Sequence, residues 1–124
     1  MKVVFDIKEA AKNLSAESVV QYKYGLSEMP YWKKVESGEL ESRSLSGKIS
    51  RVFEDDLDGC PYIEVTDLAG EKTEWQRRAN RTSDEGLYVF GREIRITYCV
   101  EEKEHEYTQR PWSRKCVLQI AVQE

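Results

Sequence analysis

From residue 42 onward, apolar and polar positions alternate with a period of two, the mark of strands with one buried and one wet face. The clearest run is Tyr62-Ile-Glu-Val-Thr66, with Ile63 and Val65 on one face and Tyr62, Glu64 and Thr66 on the other. Before it, Leu45-Ser-Gly47-Lys-Ile-Ser-Arg-Val-Phe53 reads as a strand, separated from the first by the acidic loop Glu54-Asp-Asp-Leu-Asp-Gly59. The two describe a curved hairpin, and Gly47, lacking a Cβ, allows the first strand to bend sharply. A turn at Asp67-Leu-Ala-Gly70 leads into a third strand within Glu71-Lys-Thr-Glu-Trp75-Gln-Arg-Arg78. Ala79 to Glu85 is polar and reads as a loop or one helical turn. In the fourth strand Ile94, Ile96, Tyr98 and Val100 share one face, and Arg95, Thr97 and Cys99 the other. Glu101 to Lys115 reads as a long polar connection, after which Cys116, Leu118, Ile120 and Val122 alternate in a fifth strand.

Residues 1–41 have a different texture. Met1 to Asp6 suits a short strand, and Ile7, Ala10, Ala11 and Leu14 follow the i, i+3, i+4, i+7 spacing of an amphipathic helix. Val20, Tyr22, Tyr24 and Leu26 alternate as a strand would, while Ser15-Ala-Glu-Ser would equally cap a helix through Tyr24. The β-branched and aromatic content favours the strand. Pro30 stops any regular element, and Tyr31 and Trp32 are expected to seal this segment onto a core. Its apolar residues, among them Val3, Phe5, Tyr22 and Trp32, are too many to leave in water. Residues 1–41 are therefore expected to pack as an N-terminal α/β extension on a β domain spanning 42–124.

A chain of 124 residues suits one domain. Nineteen basic against 23 acidic side chains give a net charge of −4, which argues against a broad basic surface for duplex nucleic acid. Cys60, Cys99 and Cys116 show no CxxC spacing, and His105 is the single histidine, so no Cys/His zinc set forms. Cys99 and Cys116 fall in neighbouring strands and read as small buried or half-buried residues. Met1-Lys-Val-Val-Phe is followed at once by Asp6, unlike a signal peptide, and no apolar run reaches membrane-spanning length. The expectation is a reduced, cytoplasmic, soluble protein with no membrane partner.

Five strands in this order, with a glycine bending the first, resemble the OB-fold over residues 42–124. The residues that carry the resemblance are Gly47, Ile63-Glu-Val-Thr-Asp67 with Gly70 after it, and Gly91 before Ile94-Arg-Ile-Thr97. It implies a mainly β fold, a small five-stranded OB-like barrel, with ligands on the face of strands two and three and the loops beside it. Two departures stand out: the helix between strands three and four is barely present, and a 41-residue segment precedes the barrel.

On that reading Tyr62 faces outward on the second strand, while Trp75 is either an exposed stacking platform beside Arg77 or core, with core slightly favoured. Arg77, Arg78 and Arg81 form one basic cluster. Tyr107, Arg110, Trp112, Arg114 and Lys115 interleave cations with aromatic rings, as a single strand of nucleic acid requires of its binder. The ligand set is thus Tyr62, Trp75, Arg77, Arg78, Tyr107, Arg110, Trp112, Arg114 and Lys115. Glu54, Asp56, Asp58 and Gly59 mimic the start of a calcium loop, yet Val65 stands where a bidentate Glu is needed. No metal or cofactor is therefore expected. No nucleophile elbow or phosphate-cradling glycine loop occurs, and His105 lies in a run of glutamates without a matching nucleophile, so a non-enzymatic binding module is expected. Single-stranded DNA or RNA is the leading ligand class. The alternative is a protein-interaction module, an inhibitor, adaptor or subunit docking a basic partner, and a small-molecule or sugar binder comes third. Burial of Trp75 would favour the protein-docking reading.

Overall fold

The computed structural model describes residues 1–12, 35–38, 41–57, 59–104 and 111–124, with 10–12, 101–104 and 111–114 described through their backbone. Its elements are β1 (Lys2–Asp6), α1 (Ile7–Lys12), β2 (Ser42–Glu54), β3 (Pro61–Asp67), β4 (Lys72–Gln76), a 3-10 helix (Thr82–Leu87), β5 (Glu93–Glu104) and β6 (Pro111–Val122). The six strands form one antiparallel sheet in the order β1-β6-β5-β2-β3-β4. The mainly β expectation holds. The sheet has six strands rather than the five expected of the barrel, because the short strand expected at Met1 to Asp6 pairs with β6 and adds itself to the sheet built by residues 42–124.

The sheet curls around a core of Val4, Phe5, Ile49, Ile63, Val65, Trp75, Ile94, Ile96, Ile120 and Val122, all at most 4% exposed. The alternation of β3 fits this directly: Ile63 and Val65 are buried and their neighbours are not. No strand ladder among the described residues joins the two edge strands β4 and β1, so the sheet is not closed into a barrel. The seam is held instead by Asn80, just past β4. Its backbone N–H donates to the Val4 carbonyl (2.9 Å). Its side-chain oxygen accepts from the Asp6 N–H (2.7 Å), and its Nδ2 donates to the Asp6 carbonyl (3.2 Å).

Gly47 serves close approach rather than an unusual dihedral. It pairs with Asp67 on β3 and Ile94 on β5, and a Cβ at this position would run into the Thr66 carbonyl. Gly91, at φ 87°, lets the chain enter β5 while its N–H donates to the Ile49 carbonyl (2.8 Å).

Three bulges change which residues face the core. One in β1 between Val3 and Phe5 accompanies two successive buried residues, Val4 and Phe5. One between Ile49 and Arg51 puts Val52 opposite Ile63 and Phe53 opposite Tyr62, reversing the phase a strict alternation from Ile49 predicts. One opposite Thr97 and Tyr98 places Val117 against Tyr98 and Cys116 against Cys99. Cys99 and Cys116 are consequently buried on the side away from the main core, in a small cluster with Val35 and Leu118.

The stretch 101–115 is not one long connection. β5 runs to Glu104 and β6 starts at Pro111, so most of it is a two-stranded ladder. The expected helix at residues 7–14 is seen over Ile7–Lys12, and the polar 79–85 stretch contains the start of the 3-10 helix. The predicted strand at 20–26 and the residues Tyr31 and Trp32 lie outside the described residues. Among the described residues, no helix is long and apolar enough to cross a membrane.

Candidate functional site

The ladder between β2, β3 and β4 fixes two faces. Trp75 opposite Ile63 and Thr73 opposite Val65 continue the inner side. Glu74 opposite Glu64, Gln76 and Phe53 opposite Tyr62, and Arg51 opposite Glu64 form the outer side. On this outer side Phe53 and Tyr62 stack with ring centroids 5.9 Å apart and planes 20° from parallel. The guanidinium carbon of Arg51 lies 3.9 Å from the centroid of the Phe53 ring, a cation–π contact. Beside the rings a hydroxyl chain runs from Thr66 Oγ1 to Ser50 Oγ (2.8 Å) and on to Glu64 Oε1 (2.9 Å). Lys72 reaches Glu64 at 4.0 Å, the outer limit of an ion pair. Glu74 sits directly across from Glu64, and like charges so placed repel.

The rim of this face is the acidic loop after β2. Asp55 organises it: its carboxylate accepts from the Leu57 N–H (2.7 Å), its N–H donates to the Cys60 carbonyl, and its own carbonyl accepts from the Gly59 N–H (both 2.9 Å). This arrangement presents Glu54 and Asp56 to solvent and leaves Leu57 98% exposed.

Of the five residues expected to hold a nucleic acid whose side chains are described, all five contact the chain's own groups. Trp75 is 4% exposed, packs at 5.1 Å against Tyr98, and donates its indole N–H to Thr73 Oγ1 (2.8 Å). It is core. Lys115 lies over its ring at 5.0 Å. Arg77 turns back to donate from Nη2 to the Phe53 carbonyl (3.0 Å), and its Nε is buried without a hydrogen-bond partner. Arg78 donates to Gln76 Oε1 (3.3 Å) and lies 5.7 Å from the centre of the Phe5 ring. Tyr62 faces outward as expected, half-buried against Phe53. Tyr107 and Arg110 lie outside the described residues, as do the side chains of Trp112 and Arg114. The structure therefore brings Tyr62 to the outer face, buries Trp75 in the core, and ties Arg77 and Arg78 to the Phe53 carbonyl and Gln76.

Arg51, Phe53, Glu74 and Asn80 were not singled out by the sequence. Phe53 and Arg51 were obscured by the bulge at Ser50, which reverses the alternation. Glu74 had a signal, since it alternates with Trp75, but only the β3–β4 register sets it across from Glu64. Asn80 sat in a polar stretch with nothing to mark it.

Tyr88 carries the one strongly displaced titration among the described groups near β4. Burial pushes its phenol up to about 12, outweighing the opposing effects of the hydrogen bond donated by the Arg78 backbone N–H and of the Arg77 and Arg78 charges. Its hydroxyl donates to the Arg78 carbonyl at 2.5 Å, which fixes the chain leaving β4. Among the described residues no group of three or more His, Cys, Asp or Glu side chains is placed to hold a metal ion.

The sequence model of the family Immunity protein RhsI2 matches residues 6–123. No curated protein matches the chain. The family is not an OB-fold family, so of the resemblance the mainly β architecture is what stands. The match also overturns single-stranded DNA or RNA as the leading ligand and favours the alternative, protein–protein interaction. The burial of Trp75 points the same way.

Proposed function

The chain belongs to the RhsI2 immunity protein family, and from that premise we propose that it neutralises an Rhs toxin by binding it directly. The family match over nearly the whole chain carries this reading. The inhibitor acts by occupancy: it covers a surface of the toxin and performs no chemistry of its own. An outer sheet face with stacked aromatics and exposed carboxylates supports the reading, since aromatic anchors and complementary charge are what give such complexes their strength and their encounter rate. The test is co-expression with the Rhs toxin of the same genome. Protection of growth, together with co-purification of the two chains as a stable complex, is the expected result. A toxin that stays fully active and elutes separately at micromolar concentrations of both proteins would refute the proposal.

A further inference from the structure

Resting on that reading, we infer that the outer face of β2, β3 and β4, with the Glu54–Leu57 rim, is the surface that receives the toxin, and that it receives a basic, arginine- or lysine-presenting patch.

The charges argue for the partner's sign. Glu54, Asp56 and Glu74 are exposed, and no cation among the described residues pairs with them. Two acids elsewhere are matched: Asp84 holds Lys2 at 2.9 Å, and Glu36 pairs with Lys8. On the outer face Glu74 faces Glu64 across the ladder, and the nearest lysine reaches only Glu64. That opposition is unfavourable in the isolated protein, and a cation seated between the two carboxylates reverses its sign. Of the chain's own arginines, Arg51 lies opposite Glu64 on the β2 side with its guanidinium over Phe53, and Arg77 and Arg78 donate to the Phe53 carbonyl and to Gln76, so none of these is paired with Glu74.

The rings argue for the partner's shape. Arg51, with its guanidinium carbon 3.9 Å from the Phe53 centroid, shows that this stacked pair accepts a cation over its Phe53 ring. Arg and aromatic side chains are the residues that dominate interface energetics, and a planar cation is read by a ring below and a carboxylate beside it. Leu57, almost wholly exposed on a loop held by Asp55, adds an apolar anchor next to the acids. Apolar contact flanked by carboxylates fits the aliphatic stems and charged heads of Lys and Arg together.

The experiment measures toxin binding by calorimetry at low and moderate salt for the wild type and three variants. Glu54→Lys/Asp56→Lys/Glu74→Lys reverses the charge of the face at exposed positions. Leu57→Asp removes the apolar anchor without touching the core. Glu9→Lys/Glu85→Lys/Glu124→Lys, the control, makes the same charge change on exposed residues of α1, the 3-10 helix and the C-terminal end. Thermal unfolding of each variant confirms that it folds. The triple variant of the face is expected to lose at least about 100-fold in affinity and most of the salt dependence, Leu57→Asp about tenfold, and the control less than threefold. Equal binding by the wild type and the triple variant of the face would overturn the inference while leaving toxin binding intact. So would an equal loss in the control, which would reduce the effect to net charge. Absence of wild-type binding would overturn the parent reading and this one with it.

Discussion

Replacing Asn80 with Ala tests whether the open sheet depends on its seam. The substitution leaves the backbone N–H bond to Val4 in place and removes the two side-chain bonds to Asp6, at 2.7 and 3.2 Å. Each such bond contributes about 1 kcal/mol net, and a partly buried Asp6 amide left without an acceptor adds a desolvation penalty of about 1 kcal/mol or more. The sum is roughly 2–3 kcal/mol, which lowers the melting temperature of a chain of this size by about 10 °C. Urea unfolding followed by tryptophan fluorescence measures it, because Trp75 lies in the core the seam closes. Asn80→Asp keeps the acceptor for the Asp6 N–H but sets a carboxylate where Nδ2 donated to the Asp6 carbonyl, so it should not restore stability. Hydrogen exchange should show β1 amides losing protection first, since β1 is an edge strand. A destabilisation below about 0.5 kcal/mol, with β1 protection unchanged, would refute the reasoning: the β1–β6 ladder would then hold the edge unaided.

Gly47→Ala should destabilise by about 1–3 kcal/mol, because the new methyl meets the fixed Thr66 carbonyl rather than a side chain that can move; denaturant unfolding reads it, and a neutral result would mean that β3 shifts freely. Ile96→Ala, at a fully buried position facing Ile120, should cost about 2–5 kcal/mol in the same assay. Tyr88 gives a pH prediction with a definite sign. Its phenol is raised in the folded state from 10 to about 12, so its contribution is fully present below pH 10 and is lost as the pH rises toward 12. That loss is about 2–3 kcal/mol at most, and Tyr88→Phe should flatten the fall in stability between pH 10 and 12 relative to the wild type, with equal slopes counting against it.

The sequence by itself determined the type of fold and much of its core. The period-two pattern marks the strands because successive side chains must point to opposite faces, and a run such as Ile63 and Val65 has one way to be dry. Gly47, Gly70 and Gly91 were legible for a similar reason, since close approach or positive φ leaves few other residues. The net acidity bore on the choice of partner through the loop after Phe53. What the sequence lacked was phase and partnership. A single bulged residue reverses which side chains face out, and nothing local announces it, so Arg51 and Phe53 were hidden and the face they form with Tyr62 could not be drawn. Pairing across strands is set by register, which brought Glu74 opposite Glu64 and Cys116 opposite Cys99 from positions distant in the chain. Trp75 could be assigned to the core only once the sheet had curled over it, and Arg77 and Arg78, a basic cluster in the sequence, found acceptors in the Phe53 carbonyl and Gln76. Tertiary structure decided these points because each depends on contacts between residues whose separation in sequence carries no record of their distance in space.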